Sequence, residues 1–323
     1  VEYLWIALLG LAALSLLWAR CSIRREDVWS ISIYAGRDPL RLAPHPSIGA
    51  APVLRASDIG DVDAEFVADP FMVRHGPDWY MFFEILESRS RRGVIGLASS
   101  PDGIAWQYER IVLREAFHLS YPYVFEWDGN FYMIPESGYA SSVRLYRAAE
   151  FPFRWEFVRE LIAGTYWDAS IIGWQGLWWL FALDDHASLT LHFAPEPQGP
   201  WSVHPQSPVV YHNRNISRPG GRLIVHDGRI VRYTQDGEPN YGSALRAFQI
   251  EELTVAAFRE HEFAGSPVLA ASGRGWNASG MHHADVHELG DGGYIACVDG
   301  NRQRLVLNWR AGARRMLEWV KVK

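Results

Sequence analysis

The sequence lacks most of the features that classify a chain at a glance. Only two of its 323 residues are cysteine. Cys21 stands beside an apolar N-terminal segment and Cys297 in a strand-like run, so neither a disulfide framework nor a cysteine zinc site is available. Charge of one sign is also missing: 31 Lys and Arg stand against 37 Asp and Glu, for a formal net charge of −6. Outside the N-terminal region the basic residues form no long block, which excludes nucleic acid as a partner. There is no glycine-rich phosphate loop and no G-x-S-x-G elbow. Helical periodicity is scarce beyond the N-terminus, except for a weak signal over "IEELTVAAF", so a Rossmann or other α/β fold has no support.

What the chain does have is apolar and aromatic surface. Hydrophobic residues make up 48%, with 15 Trp, 14 Tyr and 15 Phe, far too much for a disordered chain and enough for one large all-β domain. One long apolar run occurs, from Tyr3 to Ala19. As a helix it would reach roughly 26 Å, close to the hydrocarbon thickness of a bilayer. A signal peptide places its basic residues before such a run, whereas Arg20, Arg24 and Arg25 follow this one. The expectation is a single-pass membrane anchor over residues 1–19, touching lipid through residues 3–19. A basic linker over 20–27 and a β domain over 28–323 would follow. The positive-inside rule weighs both flanks of the run, so the side of the membrane stays open.

Past the anchor, short runs of aromatic and β-branched residues alternate with Gly, Asp and Pro. Five stretches align: "DPFMVRHGPDWYMFFE" (69–84), "YPYVFEWDGNFYMIPE" (121–136), "DASIIGWQGLWWLFALD" (168–184), "RPGGRLIVHDGRIVRYTQD" (218–236) and "HADVHELGDGGYIACVD" (283–299). Each is a strand, a turn and a second strand ending in an acid: Glu84, Glu136, Asp184, Asp236 or Asp299. The turns carry Gly76, Asp128-Gly129, Gln175-Gly176, Asp227-Gly228 and Asp291-Gly292-Gly293, residues that accept the positive φ of tight hairpins. Two more strand candidates follow each of the first four units. Starts 52, 47, 50 and 65 residues apart and four strands per unit predict a five-bladed β-propeller. Its last blade would be closed by "VWSISIYAG" (28–36) or by the C-terminal "RLVLNW".

In a propeller the first strand of each blade lines the axis, so the first residues of the five units are candidate pocket groups. They are Asp69, Tyr121, Asp168, Arg218 and His283. Two carboxylates, a guanidinium, a phenol and an imidazole suit an oriented sugar, with Trp167 nearby as an aromatic face. Paired carboxylates also serve glycosidic cleavage, in which one protonates the leaving oxygen and the other activates water or attacks. Asp69, Asp168 and Glu136 are the candidate catalytic acids. The competing reading makes Asp69, just before Pro70, a turn-former. The remaining second-strand acids are read as structural. Arg218 and Arg222 in "SRPGGR" suit a carboxylate, phosphate or sugar hydroxyl, or a salt bridge to Asp69 or Asp168. "SGMHHADVHE" resembles a metal-ligand cluster, but no partner motif supplies ligands from other elements. No metal or other cofactor is expected. One axial histidine touching substrate is, His283 first and His282 second.

The motifs "FVADPFMV", "WYMFFE", "HLSYPYVFEWDGNFYMIPES", "WDASII", "SRPGGR" and "GMHHADVH" together resemble the N-terminal domain of plant glucosamine inositolphosphorylceramide transferase and its bacterial stand-alone relatives, over about residues 28–300. More distantly the layout is similar to glycoside hydrolase family 43 propellers. That resemblance implies a base at Asp69 and a positioning, pKa-tuning carboxylate at Asp168. The family's general acid follows its second Asp, but the fourth unit here starts with Arg218, and neither Glu136 nor Glu238 replaces the acid cleanly. In the plant family, sugar transfer is attributed to a separate C-terminal domain. The resemblance therefore implies a glycan or glycolipid headgroup as ligand. It implies either a hydrolase- or transferase-like propeller, or a non-catalytic glycan-binding or scaffold domain working with a separate glycosyltransferase.

Overall fold

A computed structural model of the chain describes residues 23–307. The expected anchor lies outside them. Among the described residues no helix is long and apolar enough to cross a membrane. The chain divides into two units, residues 29–301 and the terminal segments 1–28 with 302–323. In the described parts of the terminal unit the backbone is extended, and Arg304 pairs with Glu26 at 3.5 Å.

Residues 29–301 form five antiparallel sheets, which are the five blades. Blade 1 comprises Ala64–His75, Asp78–Glu87, Gly93–Ser100 and Gln107–Leu113, and blade 2 comprises Ser120–Trp127, Asn130–Glu136, Ser142–Glu150 and Arg154–Ala163. Blade 3 comprises Tyr166–Trp174, Leu177–Asp184, Leu189–Ala194 and Ser202–Val203. In blade 4 the inner strand is split into Arg218–Pro219 and Ile224–His226, followed by Arg229–Asp236, Ala244–Leu253 and Phe258–Glu262, with Leu269–Ala270 added beside the third strand. Blade 5 takes Ala284–Glu288 and Tyr294–Leu307 from the end of the chain and Ile23–Gly36 and Ala43–Pro44 from its start. Closure is thus made by the segment containing "VWSISIYAG", while the start of "RLVLNW" is the end of the neighbouring strand. The strand of blade 5 that begins at Ile23 takes in part of the segment expected as a basic linker.

The weak helical signal over "IEELTVAAF" is corrected. The segment is the end of one strand, a tight turn in which Thr254 N–H donates to the Ala257 carbonyl at 2.9 Å, and the start of the next strand. Ile250 and Leu253 are buried, and both pack into the core between blades 3 and 4 with Phe181 and Leu189. Tertiary packing outweighs a short helical period in so β-rich a context.

Side chains alternate across each strand, so every blade offers an apolar face to each neighbour. Phe71, Phe82, Val124 and Met133 pack between blades 1 and 2, and Ile33, Met81 and Cys297 between blades 5 and 1. Blades 4 and 5 are also joined through the backbone, where Ala284 N–H donates to the Gly220 carbonyl at 2.9 Å. The interruption in blade 4 has a steric reason: a Cβ on Gly221, at φ 142°, would lie 1.8 Å from the Ala284 carbonyl oxygen.

One local device recurs at the pocket end of the inner strands. The register jumps from Ala68 opposite Glu84 to Phe71 opposite Phe82, from Ser120 opposite Glu136 to Tyr123 opposite Ile134, and from Trp167 opposite Leu183 to Ser170 opposite Phe181. Two residues face one in each case, which is a β-bulge. The first extra residue is Asp69, Tyr121 or Asp168, with φ of 51°, 44° and 53°. The left-handed backbone turns these three side chains out of the ladder.

Candidate functional site

The bulges of blades 1 and 3 bring Asp69 and Asp168 into one buried cluster with residues from the other blades. Asp168 is 1% exposed, and its Oδ2 accepts from Arg218 Nε at 2.5 Å and from Gln235 Nε2 at 2.6 Å. Glu136, at the end of the second strand of blade 2, accepts from Ser120 Oγ at 3.1 Å, and its Oε2 lies 3.5 Å from Arg218 Nη2. Burial, then the charge of Asp168, push the Glu136 carboxyl up to about 8.

Asp69 forms the other half of the cluster. Its backbone N–H donates to Asp299 Oδ2 at 3.0 Å, and its Oδ1 lies 3.8 Å from His282 Nε2. Burial raises its carboxyl to about 7; His282 opposes this, and the charges of Asp168 and Asp299 add to it. Asp299 also accepts from His282 Nδ1 at 2.7 Å. Burial works to raise the Asp299 carboxyl, but the His282 imidazole outweighs it and holds the group below its ordinary value. His282 in turn, despite burial, is held above the ordinary imidazole range by Asp299. It stacks on Trp29 with ring centroids 4.0 Å apart, and its Nε2 lies 3.1 Å from the Tyr241 hydroxyl. Glu84 completes the set, 3.4 Å from His118 Nε2, and burial followed by the Asp69 and Glu136 charges pushes it well up. Burial lowers His118.

Arg218 and Tyr241 cover these acids. The Arg218 guanidinium lies 5.0 Å from the Tyr241 ring centroid, and both, with Gln235, line a cavity of about 420 Å³ that continues along Arg214 and Glu238. A larger recess of about 650 Å³, lined in part by His186, His212 and Asn213, shares Arg214 and Glu238 with it. Tyr241 is 48% exposed while the carboxyls beneath are nearly sealed.

Of the residues expected from the sequence, Asp69, Asp168, Glu136, Arg218 and His282 come together. Tyr121, Arg222 and His283 lie elsewhere, in the buried axial core. The Tyr121 hydroxyl contacts Ser170 Oγ at 2.8 Å and accepts from Gly221 N–H at 2.6 Å. His283 Nε2 donates to the Pro70 carbonyl at 2.8 Å, its ring stands edge-on to Phe71 and Tyr121, and burial lowers it to about 4. Arg222 is paired with Asp285 at 2.6 Å and donates to the Val124 carbonyl at 2.9 Å. Of the two salt bridges considered for "SRPGGR", Arg218 makes one to Asp168, and Arg222 takes a different acid. Trp167 is half-buried in blade 3 beside Gly138.

Glu84, Asp299, Gln235, His118 and Tyr241 belong to the cluster and were not singled out from the sequence. Glu84 and Asp299 had been grouped with Asp184 and Asp236 as strand ends. The latter two are tied locally: Asp184 accepts from the N–H groups of His186 and Ser188, and Asp236 pairs with Arg246 at 2.7 Å. Only Glu84 had a sequence signal, since it stands across the ladder from the "ADP" bulge. Asp299 and Tyr241 reach the site through folding of the fifth blade and of the loop "DGEPNYGS".

Residues 21–301 match the family described as glucosamine inositolphosphorylceramide transferase 1, N-terminal. The chain is 36% identical over 300 residues to glucosamine inositolphosphorylceramide transferase 1 of Oryza sativa subsp. indica, and 33% identical over 305 residues to the protein of that name from Arabidopsis thaliana. These alignments take in 86% and 87% of the chain but 40% of each relative, so the chain spans well under half the length of the curated proteins it matches. Among solved structures, the catalytic domain of a Coprinopsis cinerea GH62 α-L-arabinofuranosidase superposes with a TM-score of 0.57 over 86% of this chain and 97% of that one, at 13% identity. A GH43 β-xylosidase/α-arabinofuranosidase from a compost metagenome gives 0.55 over 68% and 78%, also at 13% identity. At such identities the likeness is one of fold.

Proposed function

The chain belongs to the family of the glucosamine inositolphosphorylceramide transferase N-terminal domain, and from that membership we propose that it is a carbohydrate-directed propeller that binds a glycan or glycolipid headgroup at its axial pocket. One observation carries the reading: Arg218, which pairs with the buried Asp168 and lies over the Tyr241 ring, lines with Tyr241 and Gln235 a cavity of about 420 Å³. Carboxylates and an arginine in a fixed array discriminate hydroxyl positions, and the half-exposed Tyr241 ring offers a flat apolar face to a sugar ring.

A second reading, glycoside cleavage or transfer at the same acids, is favoured by the division of protons: Glu136 is protonated near neutral pH while the Asp168 beside it accepts hydrogen bonds from Arg218 and Gln235. That is the acid side of general acid-base work. Binding remains the leading proposal, because Arg218 spans Asp168 and Glu136 and starts the fourth unit, where the resemblance to the hydrolase layout implies an acid. The curated relatives carry the word transferase in their names. For this chain, work alongside a separate glycosyltransferase belongs to the same proposal.

Calorimetric titration of headgroup sugars, run with a glycoside-cleavage assay on wild type and Asp69→Asn, separates these readings. Binding weakened about tenfold with no cleavage in either protein supports a binding module. Cleavage abolished with binding retained supports the hydrolase. Absence of carbohydrate binding and of cleavage in wild type would sink both. The proposal includes a single-pass anchor through residues 3–19, supported by the length and apolarity of that run. Extraction of the full chain from membranes by alkaline carbonate would reject it.

A further inference from the structure

We propose that the face of the ring around the pocket mouth is a docking surface for a lipid bilayer, so that the pocket opens toward the membrane. Carbohydrate binding is not needed for this. One of its three supports draws on the anchor proposed above, and the other two stand within residues 29–301.

The first is the course of the chain. Trp29 lies at the mouth, where its ring stacks on His282 with centroids 4.0 Å apart. From there its strand runs to the opposite end of blade 5, where Arg37 Nη1 donates to the Asp291 carbonyl in the far hairpin turn at 2.8 Å. The neighbouring strand returns to the mouth, where Asn301 N–H donates to the Gly280 carbonyl at 2.9 Å, two positions from His282. Both ends of the unit 29–301 therefore lie beside the pocket. The apolar run read as an anchor ends at Ala19, ten positions before Trp29, with Arg20, Arg24 and Arg25 between them. Ten residues of chain span at most roughly 35 Å. The anchor would thus join the ring on the side where the pocket opens.

The second is where tyrosine is exposed. Among the described residues Tyr139, Tyr211 and Tyr241 have the most exposed tyrosine side chains, at 75%, 70% and 48%, and all three stand at the mouth. Tyr139 follows the strand that ends in Glu136, and its ring centroid is 5.8 Å from that of His118. The Tyr211 ring lies 4.0 Å from that of His212, which lines the recess beside Arg214 and Glu238. Exposed Val225 and Val255 are at the far turns. An apolar ring with a polar tip is the kind of side chain favoured at a bilayer interface. A protein partner calls for a contiguous apolar patch. These rings come instead from three separate loops around an open cavity, an arrangement that suits a flat surface.

The third is charge. The loop 88–92 joins the second and third strands of blade 1 at the same end, and its Arg89, Arg91 and Arg92 are exposed. Several acids at this end are engaged locally: Asp58 accepts from the Arg55 N–H, Asp61 from the Ile111 N–H, and Glu65 from Arg91. Basic residues beside exposed tyrosines suit anionic lipid headgroups.

The test uses the full chain reconstituted in vesicles of phosphatidylcholine and phosphatidylserine, with a nitroxide label on one introduced thiol. Cys21→Ser leaves that thiol alone reactive, since Cys297 is buried. Labels at Tyr139→Cys and Tyr211→Cys report the mouth, and labels at Val225→Cys and Val255→Cys the far end. Mouth labels are expected to favour collision with lipid-dissolved oxygen over a water-soluble nickel chelate about fivefold more than far-end labels do. Unlabelled wild type supplies a second readout. Its amide exchange should slow in segments 88–92 and 137–141 on transfer from detergent to vesicles, and stay unchanged in the far turn 254–257. Mouth labels as open to water as far-end labels, in a chain that alkaline carbonate does not extract, overturn this inference and leave the anchor standing. A chain that does not associate with vesicles takes both down. Mouth labels shielded equally in detergent assign the face to a protein contact and also overturn it. Carbohydrate binding is decided separately, by the titrations above.

Discussion

Arg218 is the residue on which the buried acids depend. It bonds Asp168 at 2.5 Å and reaches Glu136 at 3.5 Å, so its removal strands charge inside the protein. Arg218→Met should cost about 3–5 kcal/mol in chemical denaturation, and adding Asp168→Asn should recover a large part of that. Protons give a second prediction. Burial raises Asp69 to about 7 and Glu136 to about 8, above their unfolded values near 4. The folded chain therefore holds protons that the unfolded chain releases. Stability falls as pH rises from about 4 to about 8 for these two groups and is level beyond. His282 acts in the same direction, because its raised value gives stability that fades as pH climbs through it. Asp299, whose value is lowered, adds stability above about pH 4 and loses it on acidification. The neutral imidazoles of His118 and His283, whose values burial lowers, add stability as pH rises to about 6.5. Wild type should thus lose stability between about pH 6.5 and 8 in urea titrations, and Glu136→Gln should show a shallower slope.

At the scale of the strand, the bulge is the element that makes the site. Asp69, Tyr121 and Asp168 occupy the same place in three blades with φ between 44° and 53°, a region that Asp and Asn enter at modest cost and β-branched residues avoid. Asp69→Asn should therefore keep the fold, whereas Asp69→Val should lose a further 1–2 kcal/mol or so by denaturant unfolding. Equal losses at Asn and at Val, both of which lack the carboxyl, would show that the carboxyl, not the backbone, governs this position. The bulge was half legible. "ADP" and "SYP" announce a break in the ladder through proline, and the polar residue just before it could be picked out. The direction each side chain then takes could not, which is why Tyr121, in the same bulge as the two aspartates, ends against Ser170 and Gly221 in the core rather than in the pocket.

For the whole molecule, ring closure carries the fold. The third strand of blade 5, Ile23–Gly36, is donated from the other end of the chain, and Ile31 and Ile33 within it are fully buried. A chain starting at residue 23 should fold, while one starting at residue 37 should lose the cooperative transition, because the blade keeps an open edge and an unfilled core. Circular dichroism melts of the two decide it. An unchanged melting temperature in the shorter chain would show that the ring does not need this strand.

The five-blade architecture was open to the sequence because blades repeat. Period, turn glycines and strand alternation are local properties, and five copies of a weak signal reinforce one another. Asp69, Asp168, Glu136, Arg218 and His282 were found for the same reason, since each sits at or beside a repeated landmark. What the repeat could not supply is which of five equivalent positions point inward and which partners they meet. Asp299 and Tyr241 join Asp69 from 230 and 172 positions away, and Arg222 leaves the pocket for Asp285 although it stands only four positions from Arg218. Burial, charge pairing and proton placement are set by distances across the axis, and those exist only once the ring has closed.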